Sequence, residues 1–190
     1  MNKSFWDERY DTGKTGWDIG EVSPPIKTYI DQLERQDLRI LIPGSGFGHE
    51  GRYLWKKGFH HTYLLDFSES PKASVLATNP NCFPSENWFI EDFFQHSGAY
   101  DLIIEQTLFC AIDPSKRADY AKHAASLLKP EGKLVGLLFN RSFEGGPPFG
   151  GSKEEYETYF QPYFSSIKMD ECYNSIEPRK GTELFIQLQK

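Results

Sequence analysis

The sequence lacks the features that mark a metal centre, a membrane span or a nucleic-acid partner. Its three cysteines, Cys82, Cys110 and Cys172, are odd in number and lack metal-ligand spacing, so reduced thiols are expected, with no metal site. Basic charge is in deficit, because 21 Lys and Arg against 27 Asp and Glu leave a net charge of -6. Binding to a phosphate backbone draws on clustered Lys and Arg. No nucleic-acid partner is therefore expected, and the Lys56-Lys57 and Arg179-Lys180 pairs read as solvated faces. No apolar run approaches the ~18 residues of a membrane span, and the first ten residues are charged. At 190 residues the expectation is a single domain. We expect it to be monomeric, soluble and cytoplasmic. Internal repeats and low-complexity segments are also missing.

What is present is organised around Arg39 to Asp66. The apolar run Ile40 to Ile42 breaks into Gly44-x-Gly46-x-Gly48, then a helix-compatible stretch to Lys57, a Gly58 stop, and a second apolar run ending in Asp66. Glycines let the backbone turn sharply and let a ligand approach where a Cβ would collide. An acid ending the second strand can accept both hydrogen bonds of a ribose diol. The dinucleotide fingerprint, Gly-x-Gly-x-x-Gly, seats a pyrophosphate on the helix N-terminus. Here the third glycine comes one residue early, with Phe47 inside the turn. A ribose without a phosphate fits better, which favours S-adenosylmethionine.

The remaining chain alternates strand and helix. Ser4 is placed to cap a first helix that aligns Trp6 with Tyr10, and Trp17 lies in a loop punctuated by Gly13, Gly16 and Gly20, as in a lid. Ser23-Pro24-Pro25 opens a second helix. After Asp66, a helix is expected over 70–77 and a strand over 88–91. Glu91-Asp92-Phe93 at that strand's tip suits an adenine edge. Strand four spans 100–105 and releases Glu105 and Gln106 toward the same crevice. A long helix over 113–128, strand five over 134–139, a Gly-Pro loop with Phe149 at its tip, a helix over 153–160 and two β runs, 164–173 and 183–188, complete the chain. This order predicts an α/β fold with a mostly parallel sheet. Residues 1–36 would form an N-terminal lid and helices, and 37–190 the α/β core.

The chain resembles the thiopurine methyltransferase family, most closely its plant thiol and halide methyltransferase branch. The resemblance rests on Phe5-Trp6, Gly16-Trp17-Asp18, Ile42-Pro43-Gly44 with Gly46, Gly48 and His49, and Leu65-Asp66-Phe67-Ser68-Glu69-Ser70. Glu91-Asp92, Phe109-Cys110-Ala111-Ile112, Leu127-Leu128-Lys129-Pro130, Gly145-Gly146-Pro147-Pro148-Phe149 and Arg179-Lys180-Gly181 extend it across nearly the whole chain. It implies the Rossmann-like class I methyltransferase fold, with seven strands, an antiparallel last strand and helices on both faces. It also implies S-adenosylmethionine as cofactor, lined by Trp6, Tyr10, Trp17, Gly44, Gly46, Asp66, Phe67, Asp92, Phe93 and Gln106. Gln106 stands where relatives carry Tyr or Arg, and Phe47 replaces a small residue.

No compelling general base is visible. The expected acceptor is a small soft nucleophile, such as a thiol, hydrosulfide, halide or thiopurine, which needs none once ionised. Gln106, Glu105 and Phe149 are the substrate-side candidates. An oxygen or nitrogen methyltransferase using Glu105 or a histidine as base, a non-catalytic S-adenosylmethionine binder and an NAD-dependent oxidoreductase are the alternatives.

Overall fold

A computed structural model describes residues 2–190. Seven strands form one sheet: β1 (Ile40–Pro43), β2 (Thr62–Asp66), β3 (Trp88–Ile90), β4 (Tyr100–Gln106), β5 (Leu128–Phe139), β6 (Ser166–Glu171) and β7 (Glu183–Gln189). Their spatial order is β3-β2-β1-β4-β5-β7-β6. The first five run parallel, and β7 lies antiparallel to both β5 and β6. The expected α/β architecture is thus present, with its reversed last strand inserted between β5 and β6.

The core is two-layered because side chains alternate along each strand. Ile40, Ile42, Leu64, Leu102 and Ile104 pack with residues of α2 (Pro24–Asp31), α3 (His49–Lys56) and α4 (Ser70–Thr78). Leu41, Leu65, Ile103 and Leu134 pack on the opposite face with α5 (Arg117–Leu127) and α6 (Lys153–Phe160). Helices therefore cover both faces.

Several boundaries depart from expectation. Helix α1 (Lys3–Asp11) is capped by Asn2, whose side chain accepts from the Phe5 N–H, while Ser4 only donates to Asn2. Ser23 occupies the N-cap of α2, but its hydroxyl is drawn away to Gln106. A turn of 3-10 helix, Pro114–Lys116, precedes α5. β5 begins at Leu128 rather than 134, because Tyr100 pairs with Leu128 and the register then shifts before Leu102 meets Lys133. Between β3 and β4 there is only the 3-10 turn Phe93–Gln95, so the strict helix alternation fails there.

Candidate active site

Strands β1 and β4 are neighbours, but their connections leave in opposite directions, and such a switch point opens a crevice beyond the strands' C-terminal ends. A cavity of about 600 Å³ lies there, within the usual range for small-ligand sites, roughly 300–1,000 Å³. Its wall includes Gly44 just after β1, Asp66 at the end of β2 with Phe67 after it, Asp92 and Phe93 beyond the end of β3, and residues that follow β4.

The glycine turn builds the floor. Gly44 has φ +64°, and a Cβ there would stand 2.8 Å from the Leu108 Cβ, so the turn and the post-β4 segment touch only because the side chain is missing. Gly46 donates its N–H to Asp66 Oδ2 at 2.7 Å, and Ser68 N–H reaches Oδ1 at 2.9 Å. The acid is 6% exposed, and burial pushes its pKa up against the opposing pull of those N–H groups.

The roof is aromatic. Trp17 meets Trp6 and Tyr10 edge-on at centroid distances of 5.6 Å each, and Tyr10 meets Phe47 in the same way at 5.6 Å. Burial and the neighbouring Asp66 raise the Tyr10 pKa strongly, so its phenol stays neutral. Two ties hold the Trp17 loop down. Asp18 Oδ1 bonds His49 Nε2 at 2.8 Å, and Arg179 Nη2 donates to the Trp17 carbonyl at 2.8 Å.

Arg179 is not the solvated face that the sequence suggests. Its side chain is 13% exposed, stacks over Phe139 at 5.9 Å and lines the cavity. The cavity wall also carries Cys110, Arg141, Phe143, Pro147 and Pro148. Burial raises the Cys110 thiol to about 12, so it is a neutral wall group. Only the Arg179-Lys180-Gly181 match could have signalled this residue, since its contact with Trp17 spans 162 positions.

The substrate-side candidates move. Glu105 is 0% exposed: Oε1 accepts from Phe109 N–H at 2.9 Å and Oε2 from the Tyr120 hydroxyl at 2.6 Å. It faces the core and braces the segment after β4, so it is no base for a substrate. Phe149 is not on the cavity wall, because its N–H is tied to the Cys110 carbonyl, and Phe143 with the two prolines takes that place. Gln106 and Gly46 line a separate, small chamber of about 40 Å³ that also includes Ser45, His49 and Glu50. Gln106 Oε1 there accepts from the Ser23 hydroxyl at 2.5 Å. The other expected residues, Trp6, Tyr10, Trp17, Gly44, Asp66, Phe67, Asp92 and Phe93, all border the large cavity.

The groups present fit S-adenosylmethionine. Two carboxylates at adjacent strand tips offer acceptors to a diol and an amino group, and a roof of three aromatics suits a sulfonium through cation–π attraction. Among the described residues no group of three or more His, Cys, Asp or Glu is placed to hold a metal ion.

Comparison with known proteins agrees. The family model for thiopurine S-methyltransferase matches residues 1–185. A probable thiol methyltransferase 2 of Arabidopsis thaliana is 33% identical over 187 residues, covering 94% of this chain and 81% of the relative. Thiocyanate methyltransferase 1 of Brassica oleracea is 32% identical over 190 residues, covering 96% and 83%. Among solved structures, a Burkholderia thailandensis 1,6-didemethyltoxoflavin-N1-methyltransferase with bound S-adenosylhomocysteine shares the fold at TM-score 0.73 and 18% identity, covering 99% of this chain and 86% of that one. The chain belongs to the thiopurine S-methyltransferase family and is an S-adenosylmethionine-dependent methyltransferase.

Proposed function

We propose that the enzyme methylates a small, soft nucleophile that is already ionised when it meets the cofactor, with hydrosulfide, a thiolate, thiocyanate and iodide as the acceptors to try. One observation carries this reading. The cavity wall offers the guanidinium groups of Arg141 and Arg179, together with aromatic and proline side chains, and no histidine lines it. Glu105 is closed off by Tyr120 and Phe109, and His49 is held by Asp18 and Arg52. An arrangement of cations without a free base suits an anion that needs no deprotonation. The relatives named for thiol and thiocyanate acceptors support it.

In this reading the cofactor supplies an electrophilic methyl group. Asp66 accepts from the ribose, Asp92 takes the adenine amino hydrogens, and Trp6, Tyr10 and Trp17 surround the sulfonium. Arg179 and Arg141 draw in the anion, and the closed roof excludes water. Orientation alone can contribute ~7–11 kcal/mol to such a displacement. Residues 1–36 act as lid and supporting helices on a core of 37–190. We further propose a cytoplasmic monomer with no nucleic-acid partner, to which the charge of -6 contributes. No helix among the described residues is long and apolar enough to cross a membrane.

Incubating the protein with methyl-labelled S-adenosylmethionine and each of sulfide, small thiols, thiocyanate, iodide, a thiopurine, a catechol and an amine tests the reading. Label transfer to sulfur or halide acceptors is expected. Transfer confined to oxygen or nitrogen acceptors would sink it.

A further inference from the structure

Two residues at the switch point have left-handed backbones, Gly44 with φ +64° and Thr107 with φ +69°. Glycine enters that region freely, whereas a β-branched residue there is an outlier. Such residues persist only where surrounding contacts fix them, and they gather at ligand sites. Thr107 is fixed from both sides. Its carbonyl accepts from the Cys110 thiol at 3.2 Å, and two residues on, Phe109 N–H is held by Glu105 at 2.9 Å.

Thr107 lies, with Trp17 and Gly44, on the wall of both the large cavity and the small polar chamber, and of these three it alone carries a hydroxyl. Gly44, Trp17 and Cys110 share the large cavity's wall with it. Among the described residues its hydroxyl enters no hydrogen bond, whereas the Ser23 and Tyr120 hydroxyls are both spent inside the protein. Glycine or asparagine would occupy this backbone more easily. What threonine adds is an unpaired hydroxyl on a residue that lines both spaces.

We propose that Thr107 is an acceptor-positioning residue, whose hydroxyl donates a hydrogen bond to the incoming nucleophile and fixes its line of approach. The inference rests on the proposed transfer to a soft anion. The nucleophile's electron pair forms the bond to the methyl carbon, the former carbon–sulfur pair stays with the departing sulfur, and Thr107 keeps its proton throughout.

The test compares Thr107→Val, Thr107→Ser and Thr107→Gly with the parent, using hydrosulfide and iodide as acceptors and calorimetry for S-adenosylmethionine. With hydrosulfide, Thr107→Val should lose about tenfold or more in kcat/KM while cofactor Kd stays within about threefold, and Thr107→Ser should recover most of the rate. Iodide, a poorer hydrogen-bond acceptor, should lose less. Thr107→Gly should melt no lower than the parent, because the backbone relaxes, yet show the kinetic loss of Thr107→Val. That variant also carries the test if valine prevents folding. Retention of kcat/KM within about twofold in Thr107→Val or Thr107→Gly overturns the proposal, and so does a loss confined to cofactor affinity. If the parent methylates only oxygen or nitrogen acceptors, the soft-anion reading falls by itself, and the same three variants then judge Thr107 on that acceptor.

Discussion

At the scale of single residues, burial decides what each carboxyl can do. Asp66 is buried yet borders the cavity, and each oxygen spends one bond on a backbone N–H, leaving further acceptor capacity toward a diol. Asp66→Ala should forfeit charge-assisted bonds worth ~1.5–3 kcal/mol and weaken S-adenosylmethionine binding by roughly 10- to 200-fold, read by calorimetry. Unchanged affinity in a folded variant would take Asp66 out of the site. Glu105 differs in being closed off from the cavity, and burial lifts its pKa from 4.5 to about 7. The native state then holds this proton more tightly than the unfolded chain does. Its contribution to stability is full below 4.5 and is lost as pH climbs from there to about 7, by roughly 3 kcal/mol. Asp66, Glu50 and Glu183 are raised too and share the sign, so the informative quantity is the difference between parent and Glu105→Gln. Melting curves across that window should show a smaller decline for the variant, and parallel curves would contradict the assignment. That Glu105 lies at the end region of β4 was legible in the sequence, although the strand runs one residue further, to Gln106. Tyr120, the partner of Glu105, lies fifteen positions on and reaches it only once α5 has docked.

At the scale of elements, the strand-glycine-helix-strand-acid unit was legible because its signals are local: apolar runs, turn glycines and a terminal acid. The 3-10 link between β3 and β4 and the extension of β5 to Leu128 were not, because pairing across the sheet sets them. The roof is a further case. Helix α1 has no fully buried residue, and the Ser68 and Ser70 hydroxyls, which donate to Asp7 and Asp11, fasten it beside α4. Those bonds are partly exposed, so the roof belongs to the weakly held part of the fold. Trp17→Ala should cut turnover while lowering global stability by less than ~1 kcal/mol. In the parent, tryptophan fluorescence should respond to cofactor, with part of that response lost in the variant. A large stability loss would show that Trp17 belongs to the core rather than to a lid.

At the scale of the whole molecule, charge separates the site from its carrier. The chain is net negative, yet on the cavity wall five cations, Arg9, Lys14, Lys116, Arg141 and Arg179, outnumber by one the acids Asp66, Glu91, Asp92 and Asp113. Screening over about 8 Å at physiological salt leaves such a field effective only near the mouth. Anionic acceptors should therefore lose kcat/KM moderately as salt rises. The pH dependence is more diagnostic, because it reports which partner ionises. With no enzyme group removing a proton, iodide should be methylated at a nearly constant rate across neutral pH, since it does not titrate. A thiol should gain rate as its thiolate fraction grows and level off above its own pKa, ~8.5 for a cysteine-like group. His49 is committed to Asp18 and Arg52, so His49→Gln should leave both shapes alone even if a loosened roof lowers the rates. A bell-shaped profile with a good acceptor, abolished by one histidine or carboxyl substitution, would instead identify a base and move the chemistry to oxygen or nitrogen.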